Sequence, residues 1–233
     1  MKHKNKIYCA IDFTNLRTAL SFVEKISSHI GGIKVGLEFF MKNGFNGVKK
    51  ISEFGLPIFL DLKLNDIPNT VKKAAENLFE LSPEFLSVHI NGGIEMLREI
   101  VSIKKNTKIL GVSMLTSLDN SDLNSFGFNI NSKEYVENLF KIGLDAGIDG
   151  IVCSAHEVPN LKNILKNQKF FFVTPGIRLH KDSINDQKRI VTPGNAIKLG
   201  SSVLIIGRSI TQADNPIEKI KQIYESIEVE LAS

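Results

Sequence analysis

The chain is predicted to fold as an α/β protein, a single (β/α)8 barrel (TIM barrel) formed by residues 1–233. Two observations predict this fold: short apolar runs recur eight times along the chain, and stretches with helical spacing separate them. Apolar strands that alternate with amphipathic helices are typical of a parallel sheet covered by helices, and this chain length is ordinary for one closed barrel. A doubly wound open sheet is the alternative arrangement.

Each predicted strand is a short apolar run, and the interval before the next one leaves room for a helix. In chain order the runs are Ile7 to Phe13, Ile33 to Leu37, Pro57 to Leu64, Phe85 to Ile90, Ile109 to Leu115, Gly150 to Ala155, Phe170 to Pro175 and Val203 to Gly207. Apolar residues three and four positions apart predict helices between them. The clearest sets are Leu16, Leu20, Val23, Ile26 and Ile30, and Val136, Leu139, Phe140, Ile142 and Leu144.

Composition excludes several classes of protein. The net charge of +4 comes from scattered basic residues, which does not indicate a nucleic-acid surface but suits a phosphorylated metabolite. Cys9 and Cys153 lie in apolar runs and predict no disulfide framework. No segment reaches membrane-spanning length and no cleavage signature follows the basic N-terminus, so we expect a cytoplasmic protein. The Gly-Gly pairs form neither a GxGxxG nor a Walker sequence, which disfavours dinucleotide binding.

A charged motif ends the third apolar run. Asp61 and Lys63 are two residues apart, so in an extended strand their side chains project to the same face. Charges that lose water must be paired, neutralised or used. A structural salt bridge and a functional ion pair are both open interpretations, and the second carboxylate, Asp66, favours the functional one.

Polar residues also accompany most of the other predicted strands. In a (β/α)8 barrel the C-terminal ends of the strands form the catalytic face. Each polar residue alone has a structural explanation, as a helix cap, a turn residue or a surface cation, and their common position is what favours a site. In chain order they are Asp12, Lys34, Asp61 with Lys63, His89 with Asn91, Thr116, Arg178 and Arg208. We interpret His89 as a packed, hydrogen-bonded residue rather than a catalyst.

The last two strands predict a phosphate site. Gly207 lets backbone N–H groups approach an anion, Arg208 adds a planar fork of donors, and Arg178 supplies a second cation from the neighbouring strand. The polar segment 179–189 is longer than most loops of this kind and is predicted to close over the ligand. The histidines show no metal-ligand spacing and no Gly-x-Ser-x-Gly sequence occurs, so neither a metal nor a cofactor is predicted.

These motifs together resemble a known family. Asp61-x-Lys63-x-x-Asp66-Ile67-Pro68-x-Thr70 resembles the signature of the orotidine 5′-phosphate decarboxylases, which complete UMP synthesis. The resemblance is collinear over nearly the whole chain. It includes Ala-Ile-Asp12, Ile-Lys34-Val-Gly, Val-His89-x-Asn-Gly-Gly, Leu-Thr116-Ser, Gly-x-Asp-Gly-Ile-Val-Cys-Ser154, Thr-Pro-Gly-Ile-Arg178, Asp-Gln187-Lys-Arg-Ile-Val-Thr-Pro and Ile-Gly207-Arg208-Ser-Ile.

The resemblance implies a cofactor-free decarboxylase acting on orotidine 5′-phosphate in pyrimidine biosynthesis, as a homodimer whose active sites are completed across the interface. It implies four catalytic residues: Lys63 is the proton donor, Asp61 and Asp66 hold its ammonium group charged and aimed, and Lys34 joins the charged network. Other implied contacts are Asp12 and Lys34 to ribose, Thr116 to the pyrimidine, Asp66, Ile67 and Thr70 to the neighbouring subunit's site, and Arg178, Gln187, Gly207 and Arg208 to phosphate. One departure concerns loop geometry: Leu179-His180 replaces a proline common after that arginine.

Three alternative functions remain at this stage. Sugar-phosphate decarboxylases and synthases share the barrel and an Asp-x-Lys-x-x-Asp motif but use Mg²⁺, and a cation at Lys34 would repel that ion. A class I aldolase would use Lys63 as a Schiff base, which flanking acids disfavour because they keep the lysine protonated. A non-catalytic phosphate-binding barrel is the third, since fold alone does not establish activity.

Overall fold

The computed structural model describes residues 3–165, 168–179 and 190–232. Its strands form a closed parallel barrel in which each strand pairs with the next along the chain and the last pairs with the first. The strands are β1 Ile7–Ala10, β2 Gly32–Gly36, β3 Ile58–Leu64, β4 Phe85–His89, β5 Lys108–Val112, β6 Gly150–Val152, β7 Phe171–Thr174 and β8 Val203–Ile206. The predicted single (β/α)8 barrel is confirmed, and the open doubly wound sheet is not what forms.

Helices cover the outside of the barrel. They are α1 Leu16–Ile26, α2 Leu37–Ser52, α3 Pro68–Phe79, α4 Ile94–Ile103, α5 Asn120–Ser125, α6 Ser132–Ala146, α7 Val158–Ile164, α8 Pro193–Leu199, α9 Arg208–Thr211 and α10 Pro216–Ala232, with short 3₁₀ turns at Lys4–Lys6, Ser27–His29, Ile90–Gly92 and Ala155–Glu157. Side-chain oxygens of Asn15, Asn131 and Thr192 accept backbone N–H groups at the starts of α1, α6 and α8. Within the described ranges, no helix is long and apolar enough to cross a membrane.

The core has two layers because every strand is buried on both faces. One face packs against the helices, and the other fills the barrel interior. On β3, Phe59 faces the interior and Leu60 faces the helices, so Asp61 follows in phase with the interior. Tyr8, Phe59, Phe85 and Phe171 pack as an aromatic cluster in the interior layer.

Several strands end earlier than the apolar runs predicted. The first ends at Ala10 rather than Phe13, and the fifth at Val112 rather than Leu115. The residues that follow stay buried, as Ile11 and Met114 show, because the loops leaving the barrel still pack against its helices. Residues remain buried beyond the last hydrogen-bonded residue of each of these strands, so apolarity alone overestimated the length of the strands.

Candidate active site

A cavity of about 690 Å³ opens at the C-terminal ends of the strands. This volume is within the range of sites that bind small molecules. Among the described residues, its lining contains four cationic side chains and, with Glu38, three carboxylates, a balance that suits an anionic ligand. The predicted site residues in this lining are Asp12, Lys34, Asp61, Lys63, Thr116, Arg178, Gly207 and Arg208.

A chain of alternating charges crosses one side of the cavity. The Asp61 Oδ2 atom lies 2.9 Å from the Lys63 Nζ atom and 3.6 Å from the Lys34 Nζ atom. The Lys34 Nζ atom lies 3.5 Å from Oδ1 of Asp12. Asp61 is only 8% exposed, so its charge depends on these two ammonium groups for compensation. The geometry therefore fixes the Lys63 ammonium at the cavity surface.

Burial and charge oppose each other at Asp61. Burial alone would raise the pKa of its carboxyl, but the charges of Lys34 and Lys63, with hydrogen bonds from Lys63 and Ser87, outweigh burial and hold the pKa below its usual range. The carboxylate is therefore ionised at neutral pH, and it keeps a compensating negative charge between the two lysines.

The inner face of β2 explains how a lysine enters the barrel. Gly32, Lys34 and Gly36 occupy that face, and the outer-facing Ile33 and Val35 pack against the helices. A Cβ atom on Gly32 would lie 2.3 Å from the ring of Tyr8, and one on Gly36 would lie 2.8 Å from the Lys34 Nζ atom. The two glycines therefore leave the space that the Tyr8 ring and the Lys34 ammonium occupy.

The strand that carries Asp61 and Lys63 is not regular. Leu60 pairs with Leu86 and Leu64 pairs with Val88, so β3 has two more residues than β4 between these pairs. Lys63 adopts a φ of 50°, a region that residues other than glycine seldom occupy. Side-chain alternation predicted that Asp61 and Lys63 share a face; they do contact each other, but across a bulge rather than along a straight strand.

Sequence reasoning missed Ser87, which lies beside this bulge. Its hydroxyl donates a hydrogen bond to Oδ1 of Asp61 and accepts one from the Lys63 backbone N–H. One signal could have found it: Ser87 is in phase with the inward-facing Phe85, and it is a polar residue inside an apolar strand. Glu38, at the start of α2, also lines the cavity and was not predicted.

The arginines line the other side of the cavity. Arg178 is buried after β7, its backbone N–H donates to the carbonyl of Val191, and its side chain donates to the carbonyl of Ile177. Arg208 is the first residue of α9, directly after Gly207. β7 pairs with β8, so both arginines come from adjacent strands. In a ring of eight strands β7 lies opposite β3, which places Arg178 across the mouth from Lys63.

The structure does not bring every predicted residue into this cavity. Asp66, Ile67 and Thr70 are exposed and are not among the described lining residues, and Asp66 accepts a hydrogen bond from the backbone N–H of Ile67. Gln187 and most of the predicted closing segment 179–189 lie outside the described residues.

His89 lies beside the charged chain without joining the described cavity lining. Its ring is partly buried, and burial, followed by the positive charge of Lys63, lowers its pKa against the opposing effect of Asp61. A neutral imidazole at this position adds no further positive charge next to Lys63.

The structure is a closed (β/α)8 barrel, and a buried lysine–aspartate chain faces two arginines across the mouth of that barrel. This combination defines a class of barrel proteins built to hold anionic ligands. Comparison with known proteins gives the particular family. The sequence model described as "Orotidine 5′-phosphate decarboxylase / HUMPS family" matches residues 5–223. The chain belongs to this family.

Individual relatives match this chain over nearly its full length. The chain is 47% identical to the orotidine 5′-phosphate decarboxylase of Sphingopyxis alaskensis, over 95% of this chain and 98% of that protein. It is 42% identical to the one from Dictyoglomus thermophilum, over 98% and 97% of the two chains. The crystal structure of the Lactobacillus acidophilus enzyme of the same name superposes with a TM-score of 0.82 at 32% identity, covering 95% of this chain and 98% of that one.

Proposed function

We propose that this protein decarboxylates orotidine 5′-phosphate to UMP, the step that completes UMP synthesis in pyrimidine biosynthesis. The proposal is carried by one observation: an ammonium held by a buried carboxylate faces a nucleotide-sized cavity with two arginines on its far side. The names of its relatives supply the substrate.

The reaction breaks the bond between C6 of the pyrimidine and its carboxyl carbon. The electron pair stays on C6 in the ring plane, where the π-system does not delocalise it, so stabilisation has to be electrostatic. A Lys63 ammonium beside C6 lowers the energy of this developing negative charge and then donates a proton from Nζ to C6. Asp61 keeps that ammonium aimed, and Lys34 extends the positive field.

The order of the strands around the barrel matches the order of groups in the substrate. From the phosphate end onward, the successive strands of the barrel carry these residues in turn: Arg178 after β7, Arg208 after β8, Asp12 after β1, Lys34 in β2 and Lys63 in β3. We assign the arginines and Gly207 to phosphate, Asp12 and Lys34 to ribose hydroxyls, and Thr116, after β5, to the pyrimidine. Gln187 joins the phosphate contacts in this proposal. Binding energy from the phosphate is then available to position the remote reacting ring.

The sugar-phosphate branch of the family is the closest competitor. Its chemistry requires a divalent cation among the carboxylates of this region. Here the Lys34 ammonium lies between Asp12 and Asp61, 3.5 Å and 3.6 Å from their oxygens, so a positive charge already occupies the space between them. We therefore expect turnover of orotidine 5′-phosphate to be unchanged by EDTA, and no turnover of hexulose phosphates when Mg²⁺ is added.

We further propose a homodimer, in which Asp66, Ile67 and Thr70 of one subunit reach the active site of the other. Ile67 is 68% exposed after β3, and Leu37 is 46% exposed after β2. Because β2 and β3 are paired, both apolar side chains leave the same part of the rim. Sedimentation velocity tests the assembly. Mixing inactive Lys63→Ala with inactive Asp66→Ala tests the crossing, since exchange of subunits restores one intact site per mixed dimer. A cytoplasmic location remains part of this proposal.

The decisive experiment replaces Lys63 with alanine. Loss of both the proton donor and the fixed charge should reduce kcat by at least about 1,000-fold. The assay is the absorbance loss as orotidine 5′-phosphate becomes UMP, in buffer without added metal. Lys72→Ala is the matched control, because Lys72 pairs with Glu99 at 2.8 Å on the helical surface, and it should keep wild-type activity. Full activity in Lys63→Ala would refute the proposed mechanism, and an inactive wild type would refute the function.

A further inference from the structure

Ser87 occupies an unusual position for a hydroxyl group. It lies on the inner face of β4, is 0% exposed, and is flanked by Leu86 and Val88 of the outer core. Its Oγ atom is 2.9 Å from Oδ1 of Asp61, to which it donates, and 2.9 Å from the Lys63 backbone nitrogen, from which it accepts. One hydroxyl therefore holds the side chain of one member of the ion pair and the main chain of the other.

The two hydrogen bonds compensate for the irregularity of β3. Between the Leu60–Leu86 and Leu64–Val88 pairs, β4 has one residue, Ser87, where β3 has three. The extra residues of β3 interrupt the regular backbone hydrogen bonding between β3 and β4. The backbone N–H of Lys63 therefore donates to the Ser87 side chain instead of to a backbone carbonyl of β4. Lys63 holds a φ of 50° at this point. Such a conformation persists only where its surroundings enforce it.

Because of this hydroxyl, the two carboxylate oxygens of Asp61 have different partners. Oδ1 receives the Ser87 hydrogen bond, and Oδ2 faces both ammonium groups, at 2.9 Å from Lys63 and 3.6 Å from Lys34. Fixing Oδ1 restricts rotation of the carboxylate, so Oδ2 stays directed at the Lys63 Nζ atom.

We infer that Ser87 is a positioning residue for the reaction: through the bulge of β3 and the orientation of Asp61, it sets where the Lys63 ammonium meets the substrate. The inference rests on the proposed function. Ser87 is not among the described residues that line the cavity, so it acts through Asp61 and Lys63 rather than on the ligand.

Ser87→Ala tests this role. The change removes a hydrogen bond to a charged group and should lower kcat about 10- to 100-fold. KM should change by less than about twofold, because the proposed arginine contacts to phosphate are untouched. The matched control is Ser113→Ala, which removes another buried hydroxyl, one that donates to the carbonyl of Val152 at 3.1 Å. The control should keep the wild-type kcat.

A second pair of variants separates positioning from folding. Ser87→Thr retains the hydroxyl, and valine has nearly the shape of threonine but no hydroxyl. The kcat of Ser87→Thr should therefore exceed that of Ser87→Val by about tenfold or more. Equal kcat values in that pair, or a Ser87→Ala enzyme with wild-type kcat, would overturn the inference while leaving the proposed function intact. Crystal structures of the variants add a readout independent of turnover: without the hydroxyl, the positive φ of Lys63 or its 2.9 Å contact with Asp61 should be lost. Retention of both would also overturn the inference. An inactive wild type would instead count against the proposed function.

Discussion

Asp61→Asn is the sharpest perturbation of this site, because it keeps the shape of the side chain while it removes the charge and one of the two acceptor oxygens. In the native chain, Asp61 compensates two ammonium groups and is 8% exposed. In the variant Lys34 retains the contact with Asp12 at 3.5 Å, whereas Lys63 loses its 2.9 Å partner. Two positive charges then face a neutral amide at the cavity wall.

The expected loss of stability follows from these contacts. Breaking a buried ion pair by removing one partner costs about 3–5 kcal/mol. The Lys63 side chain is 28% exposed, so water compensates part of its charge and we expect about 2–4 kcal/mol here. The catalytic loss is of similar size in free energy, because a displacement of the reacting group by about 1 Å can cost about 100-fold in rate, or about 2.8 kcal/mol.

Two measurements on the same samples check this prediction. Urea unfolding gives the free energy of unfolding, and the absorbance assay gives kcat. Asp149→Asn is the matched control: Asp149 pairs with Lys104 at 2.6 Å and accepts the Ile109 N–H, just before β6 begins. It should lower the free energy of unfolding and leave kcat unchanged. Wild-type stability and wild-type kcat in Asp61→Asn would show that the carboxylate does not hold Lys63.

The other predictions concern phosphate, acid and the barrel interior. Arg208→Ala should raise KM about 10- to 100-fold by removing a charged hydrogen bond to phosphate, whereas an unchanged KM would contradict its assignment. The pKa of Asp61 is lowered in the fold, so its contribution to stability is present above about pH 4 and is lost as pH falls through the folded pKa. The gap in unfolding free energy between wild type and Asp61→Asn should accordingly narrow in acid, and a constant gap would count against that ionisation. Tyr8→Phe deletes a 2.8 Å hydrogen bond to Glu84 and should cost about 1–2 kcal/mol in urea unfolding with kcat unaltered; a fall in kcat would link the interior to catalysis.

Strand periodicity was enough to predict the barrel and to place the charged residues on one face. Because parallel strands in a closed sheet all point the same way, polar residues at the ends of the apolar runs are expected at the same mouth, although His89 and Asn91 are not among the described residues that line the cavity. Asp12 was located by this rule, whereas Lys34 lies within its apolar run and Arg178 follows its run by three residues.

Periodicity could not predict the bulge at Lys63. Alternation assigns faces but carries no information on register between strands, and the two extra residues of β3 appear only when it is paired with β4. Ser87 was missed for the same reason. The partners of a serine inside an apolar strand become visible only when the neighbouring strand is aligned with it. The two hydrogen bonds of Ser87 join it to residues 24 and 26 positions earlier in the chain.

The fold divides the motif that begins with Asp61 into a part that lines the cavity and an exposed part. Asp61 and Lys63 line the cavity, whereas Asp66 and Ile67 are exposed and lie just before α3, which begins at Pro68. The Asp66 carboxylate accepts the Ile67 N–H at 2.7 Å. An exposed acid next to a 68% exposed isoleucine fits the proposed contact across a dimer interface. Short spacing in the sequence therefore does not make Asp66 a partner of its own Lys63, and the mixed-dimer experiment distinguishes the two arrangements, since complementation requires the acid to come from the other chain.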